Sequence, residues 1–294
     1  MIKKNIVNLE SLHCMFNDLP GEVKNDRVSS SISLGIKVVR QFLGKGWVTK
    51  YVISDRHIKG FFSIDDSDKD LSQERSAKSL FRIVDLAEVL YNLQNTSGFD
   101  ECITKMRDGN LESTYAELDL GRLLYIHSVP FQYIMSRGVK GLDYDVEIFY
   151  SDGTTACAEV KCKIEGTQFS EKGIMNMFKL AKKQLPENKP GILFVKLPSN
   201  WKKESDFGIA IRRIAEDFLR QTTRIVSVKY YVSTLDFEKN FMRHNHDFDE
   251  INNPNNKFDK MRDWKIFSKV YVKPGWNGMP PHWQRILFFP GNLE

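Results

Sequence analysis

The sequence predicts an α/β protein built on a mixed sheet with helices flanking it. Three observations predict this class. From residue 110 onward, segments with helical apolar spacing alternate with segments of period two, in the order αβββαβαβ. One strand candidate, 191–197, is apolar except for Lys196, the pattern of a strand covered on both faces. The composition, 41% hydrophobic and 28% charged over 294 residues, supplies enough apolar surface to cover such a sheet.

The elements follow in order. Before residue 110 the pattern is mainly helical. Ile32, Ile36, Val39 and Leu43 recur at helical spacing within 31–43, as do Leu80, Ile83, Val84, Ala87, Leu90 and Tyr91 within 79–93. The polar run 65–78, opening Asp65-Asp66-Ser67-Asp68, reads as a solvated loop. It lacks the Gly and terminal Glu spacing of a calcium loop. Residues 111–127 form the next helix, with Ser113 or Thr114 near its start and His127 as a packed or capping residue at its end. A strand over 131–135 follows. Residues 143–150 and 155–163 alternate as two strands joined across Ser151-Asp152-Gly153, a hairpin signal. A helix over 170–185 stops at Pro186. Strand 191–197, a helix over 206–222 and a strand over 224–232 complete the series.

Beyond them, Asn252-Asn253-Pro254-Asn255-Asn256 marks a turn or linker. It leads into an aromatic, basic tail with Trp264, Trp276 and Trp283. Stacking of that tail on bases, helped by Lys265, Lys269 and Lys273, is weighed against core packing, and packing is preferred. The chain divides into a mainly helical region 1–108, an α/β core 109–235, and an appended C-terminal extension 236–294.

Several classes are set aside. No apolar run approaches the roughly 18 residues of a membrane span, so no membrane partner is expected. Met1-Ile2-Lys3-Lys4-Asn5 leads into polar sequence rather than a signal-peptide core. Cys14, Cys102, Cys157 and Cys162 have no C-x-x-C spacing, which points to a reduced, cytoplasmic protein. Phosphate-loop and dinucleotide glycine patterns are absent, as is a nucleophile elbow. His244-Asn245-His246-Asp247 sits in Asn-rich surroundings and reads as an exposed loop, without the ββα frame an HNH site needs.

The hairpin carries the chemistry. Four acid-x-Lys triplets occur in the chain, and a lone one means little. Glu159-Val160-Lys161 is separated from the others by its setting. With Gly153 left-handed in a bulged turn, Tyr150 stands opposite Thr154. Asp145 then faces Glu159, Asp143 faces Lys161, and Glu147 faces Cys157. The opposite face reads Tyr144, Val146, Ile148 and Tyr150 against Ala156, Ala158, Val160 and Cys162. A register shift of one residue would scramble this partition. Facing carboxylates repel, and a bound divalent cation removes that cost. Oxygen donors from Asp and Glu suit Mg²⁺ or Mn²⁺. The alternative is a solvated sheet face with ordinary charge pairs.

Two further features bear on the choice. Glu117 borders the apolar stripe of the preceding helix, where it would either be solvated or point over the sheet edge as another carboxylate. The mild net charge of +5 is also unevenly spread. Residues 177–229 hold 12 Lys and Arg against 5 Asp and Glu, a surplus of +7. Lys179, Lys182, Lys183, Arg212 and Arg213 within it form a candidate nucleic-acid surface. An acidic pocket beside a basic flank suits a phosphodiester substrate.

At this point the sequence resembles the PD-(D/E)XK superfamily, the restriction-endonuclease-like nucleases. The resemblance lies in the helix bearing Glu117, the run Gly141-Leu142-Asp143-Tyr144-Asp145-Val146, and Ala158-Glu159-Val160-Lys161. It covers roughly 110–200. It implies a mixed-sheet αβββαβ core and a Mg²⁺- or Mn²⁺-dependent hydrolase that cleaves nucleic acid, DNA before RNA, with metal-activated water. Asp145, Glu159 and the backbone carbonyl of Val160 would hold the metal, Lys161 would position the attacking water, and Glu117 would be the helix acid. Leu142 and Tyr144 stand where the family has proline, which leaves Asp143 open against Asp145. Asp143 and Glu147 are accordingly outer-shell or alternative ligands. A non-cleaving module that binds nucleic acid or protein is the alternative function, and a homodimer or partner subunit is compatible with either.

Overall fold

The computed structural model describes residues 6–53, 72–139, 141–150, 153–238, 241–258 and 283–286. Among them, helices α1 (Leu9–Asn17), α2 (Gly21–Asn25), α3 (Arg27–Leu43), α4 (Lys45–Val48), α5 (Ser72–Leu93), α6 (Phe99–Arg107) and α7 (Leu111–Ile126) precede a mixed sheet. The sheet runs β1 (Phe131–Tyr133), β2 (Val146–Phe149), β3 (Thr155–Cys162), β4 (Gly191–Leu197), β5 (Ile225–Glu238) and β6 (Phe241–Asn252) in spatial as in chain order. Strands β3, β4 and β5 are parallel, linked by the crossover helices α8 (Glu171–Gln184) and α9 (Phe207–Arg220); the outer pairs are antiparallel. The chain is therefore α/β with a mixed sheet, as its periodicity predicts.

The two sheet faces bury different helices. Val146, Ile148, Ala156, Ala158, Val160, Ile192 and Phe194 join a core with α3, α5, α6 and α7. Cys157, Leu193, Val195, Val228 and Val232 join a second core with α8 and α9. The first crossover helix begins and ends for local reasons. Ser170 caps α8, its Oγ accepting from the Gly173 amide at 3.1 Å. Leu185, extended ahead of Pro186, ends it.

Helix α7 lies between α5, α6 and the sheet and is buried on every side. Its charged residues consequently find partners inside the protein. Glu112 Oε2 is 2.6 Å from Lys196 Nζ, and Arg122 binds Asp85 at 2.7 Å and also Asp119. Asp119 accepts the Tyr231 hydroxyl at 2.6 Å. Removing one partner of such a buried pair costs about 3–5 kcal/mol, because the other is left uncompensated.

Two readings of the sequence need correction. Residues 72–78, read as loop, belong to α5; Gln73, Glu74, Arg75, Ala77 and Lys78 are good helix formers without an apolar stripe, so periodicity is silent there. Helices α1 and α6, nine residues each, fall below the length at which a stripe declares itself. Strand β5 runs on to Glu238 and pairs with β6, so His244–Asp247 lies in a strand and not in a loop. That strand is at the sheet edge, where polar residues are ordinary and weaken the strand signal. Helix α7 begins at Leu111 as read, with Ser113 and Thr114 in its first turn, Asn110 as N-cap and His127 as C-cap. Asp65 to Asp70, Trp264, Trp276, Lys265, Lys269 and Lys273 lie outside the described residues. No helix among the described residues is long and apolar enough to cross a membrane.

Candidate active site

The hairpin register sets the site. Val146 pairs with Ala158, Glu147 with Cys157, Ile148 with Ala156 and Phe149 with Thr155. The Tyr150 amide donates to the Thr154 carbonyl at 2.9 Å, and Gly153 adopts φ +81°. This is the bulged-turn register the alternation requires. Before Val146 the ladder departs from it. The Asp145 amide donates to the Ala158 carbonyl at 3.1 Å, although Ala158 is already the partner of Val146. Two residues thus oppose one, which re-aims the side chains of 143–145. Tyr144 turns into the second core, its hydroxyl 3.2 Å from Glu147 Oε1, instead of joining Val146 and Ile148. Asp143 does not face Lys161; its Oδ1 accepts from the Arg137 amide at 2.7 Å.

Asp145 is nevertheless carried to Glu159. Its Oδ2 accepts from the Val160 amide at 2.8 Å, and its charge acts on the neighbouring Glu159 carboxyl. From α7, Glu117 enters the same cluster, sharing a lysine with Asp145. Lys105 Nζ lies 2.9 Å from Glu117 Oε2 and 3.9 Å from Asp145 Oδ1. Lys161 Nζ binds Glu159 Oε1 and, at 2.7 Å, Gln184 Oε1 on α8. Glu159 Oε2 is buried without a hydrogen-bond partner among the described residues.

Exposure orders these groups. The side chain of Glu159 is 1% exposed, that of Glu117 8% and that of Asp145 16%; Lys105 and Lys161 are 24% and 28% exposed. The carboxylates therefore lie inside, with two ammoniums between them and water. Burial pushes Glu159 up to about 9 and Glu117 up to about 7, and the charge of Asp145 adds to both shifts. Asp145 is raised by burial as well, against the pull of the Val160 amide. Burial lowers the Lys105 ammonium, but Glu117 and Asp145 outweigh it and hold the group above its ordinary value.

No protein-family model matches the chain, and no curated protein matches it. The functional reading rests on this geometry.

The donors are hard oxygens of the kind Mg²⁺ and Mn²⁺ take, and the orphaned Glu159 oxygen is a ligand atom without a partner. Among the described residues no three His, Cys, Asp or Glu side chains close around one point as a finished cage. Lys105 and Lys161 instead stand among the acids. The donor type suits a divalent cation, but Asp145, Glu159 and Glu117 would have to draw together to hold one.

The other predicted residues are placed elsewhere. Glu147 is engaged by Lys189 at 2.8 Å and Gln132 at 2.9 Å. Burial works against these hydrogen bonds, yet they hold its carboxyl below the usual value. Val160 contributes its amide to Asp145, and its side chain is in the core. Lys179 and Lys183 are placed on α8, both exposed. Lys182 stands beside Arg224, and burial first and that cation second lower its ammonium. Arg212 forks onto Asp249 at 2.8 Å and Arg213 binds Glu171. Much of the +7 segment is likewise paired: Lys189 with Glu147, Lys196 with Glu112, Arg224 with Glu187, Lys229 with Glu250. Trp283, in the C-terminal tail, packs edge-on to Tyr125 with centroids 5.9 Å apart, inside the first core.

Two site residues escaped the sequence reading. Lys105 is one cation among 43 and sits on the unread helix α6, so no local pattern marks it. Gln184 had a faint signal, as the last residue of a helix that follows the hairpin.

Proposed function

We propose that the chain is a Mg²⁺- or Mn²⁺-dependent nuclease that hydrolyses phosphodiester bonds in nucleic acid, with DNA as the first substrate. One observation carries the reading: Glu159, buried beside Asp145 and Glu117, leaves one carboxylate oxygen without a partner among the described residues. Burying like charges side by side opposes folding, and such arrangements are kept where they serve a site. The strand order, and the positions at which Glu117, Asp145, Glu159 and Lys161 fall, support the resemblance to the PD-(D/E)XK nucleases.

A divalent cation held by Asp145 and Glu159 would supply Lewis-acid stabilisation of the phosphate and a more acidic water. The protein's own residues do the rest. The Val160 amide fixes the carboxylate of Asp145. Gln184 and Glu159 hold Lys161 on the solvent side of the acids, where its ammonium orients the attacking water and counters charge developing on phosphate. Glu117 accepts a proton or a ligand bond at Oε2 once Lys105 withdraws. Lys179 and Lys183, with Arg212 and Arg213 released from their surface pairs, would track the backbone. Four cysteines without a disulfide among them suit a cytoplasmic setting.

The test is cleavage of plasmid, linear, single-stranded and RNA substrates with Mg²⁺ or Mn²⁺. Lys161→Ala should lower the rate by about 10²–10⁴-fold in protein whose folded state is checked by circular dichroism. Equal rates in the two proteins would refute the assignment. A second reading, a non-cleaving module that binds nucleic acid, is favoured by Lys105, which already neutralises Glu117 and Asp145. Salt-dependent binding without turnover under every divalent metal would select it.

A further inference from the structure

The acid cluster is not empty of cations, since a lysine of the chain itself stands in it. Lys105 comes from α6, whose other approach to the candidate site is the Cys102 thiol, 4.0 Å from Glu117 Oε2. Its ammonium lies between Glu117 and Asp145, which belong to a helix and to the bulged end of a strand and share no other cation at such range among the described residues. Lys161 acts on both from farther off, since Glu159 and Gln184 hold it. With all three carboxyls ionised, three carboxylates against two ammoniums would leave one negative charge. Exchange Lys105 for a divalent cation and the sum is zero; keep both and it is positive.

We propose that Lys105 is a tethered counter-ion that occupies the divalent-cation position of the acid cluster in the metal-free protein and must swing out for metal to bind. The inference rests on the metal-dependent reading of this site and adds its regulation: metal affinity is set by competition with a side chain of the protein. The geometry permits the exchange. The Lys105 side chain is 24% exposed, so its ammonium has a path to water, whereas the carboxylates it bridges are 8% and 16% exposed and stay where they are. The lysine also explains how the metal-free protein tolerates Glu117 and Asp145 inside, since an unpaired buried charge is among the costliest defects a fold can carry.

The experiment measures metal binding and not turnover. Mn²⁺ is titrated calorimetrically into the full-length wild type and into Lys105→Met, which keeps the stem and removes the charge. In parallel, wild-type lysines are acetylated with an amine-selective reagent, with and without Mn²⁺, and quantified by mass spectrometry. The expected result is Mn²⁺ binding at least about tenfold tighter in Lys105→Met. Acetylation of Lys105 should rise severalfold when Mn²⁺ is present, with Lys183 unchanged. The labelling separates displacement from mere repulsion at a distance, which would not free the ammonium. It also decides the matter if Lys105→Met fails to fold. Wild type that binds Mn²⁺ with no gain in Lys105→Met, or with Lys105 labelling unchanged, overturns the counter-ion and leaves the metal site standing. Failure of both proteins to bind Mn²⁺ overturns both.

Discussion

The substitution Glu159→Gln should make the metal-free protein more stable at neutral pH, against the usual direction for a change at a buried polar residue. In the folded protein burial, and then Asp145, raise this carboxyl from 4.5 to about 9. A raised folded pKa means that the stabilising effect is complete below the unfolded pKa and is lost as pH climbs through the folded one. The window is therefore pH 4.5 to about 9. Between pH 4.5 and 7 the loss accumulates at about 1.4 kcal/mol per pH unit, or about 3 kcal/mol. The neutral amide of Glu159→Gln would keep the shape and the bond to Lys161 and carry none of that loss. At about 2.1 cal/mol/K per residue over 294 residues, 3 kcal/mol corresponds to about 5 °C in Tm. The assay is thermal unfolding in EDTA from pH 4.5 to 8. The variant should match wild type near pH 4.5 and lead it by about 5 °C at pH 7. Mn²⁺ should stabilise wild type and not the variant. Parallel curves for the two proteins across this range would refute the account of a charge-strained cluster.

Gly98→Ala should cost about 1–3 kcal/mol, read as a lowered urea midpoint at unchanged slope, because a Cβ there would lie 2.1 Å from the Tyr133 carbonyl oxygen at φ +79°. Gly98 caps α6, so the same change should loosen the Lys105 contacts. Lys179→Ala with Lys183→Ala should reduce the slope of log K against log salt for DNA binding by about one per residue, and an unchanged slope would remove α8 from the interface.

How much was legible depended on whether a residue's role is local. Strand β4, Gly191–Leu197, was read to the residue, because a heptad apolar but for Lys196 and bounded by Pro190 and Pro198 has few other uses. The hairpin register was legible for a similar reason: one face of small and branched apolar residues admits one alignment only. The departure at Asp145 was not legible. A bulge leaves no mark in a sequence whose alternation continues on paper, yet it decides that Asp145 and not Asp143 reaches the acids. Helix α7 shows the opposite limit. The sequence leaves Glu117 open between solvent and the sheet edge, but α5, α6 and the sheet close around the helix, and its buried charges are answered from several different elements.

The same distinction governs electrostatics. A run of sequence counts charges, whereas the fold assigns partners. The +7 of residues 177–229 reads as a basic flank, but Lys196 and Lys229 are buried against Glu112 and Glu250, and Arg212 and Arg213 close onto Asp249 and Glu171. Conversely, the acids Glu117, Asp145 and Glu159 gain their meaning from a lysine that stands 12 residues from Glu117 and 40 from Asp145 in the chain. Acidic residues on one sheet face can be recognised one strand at a time, because alternation is a local rule. The cation that balances them obeys no such rule, for any helix that reaches the spot will serve. A candidate site of this kind is thus half written in the sequence, the acids in its periodicity and their counter-ions only in the packing.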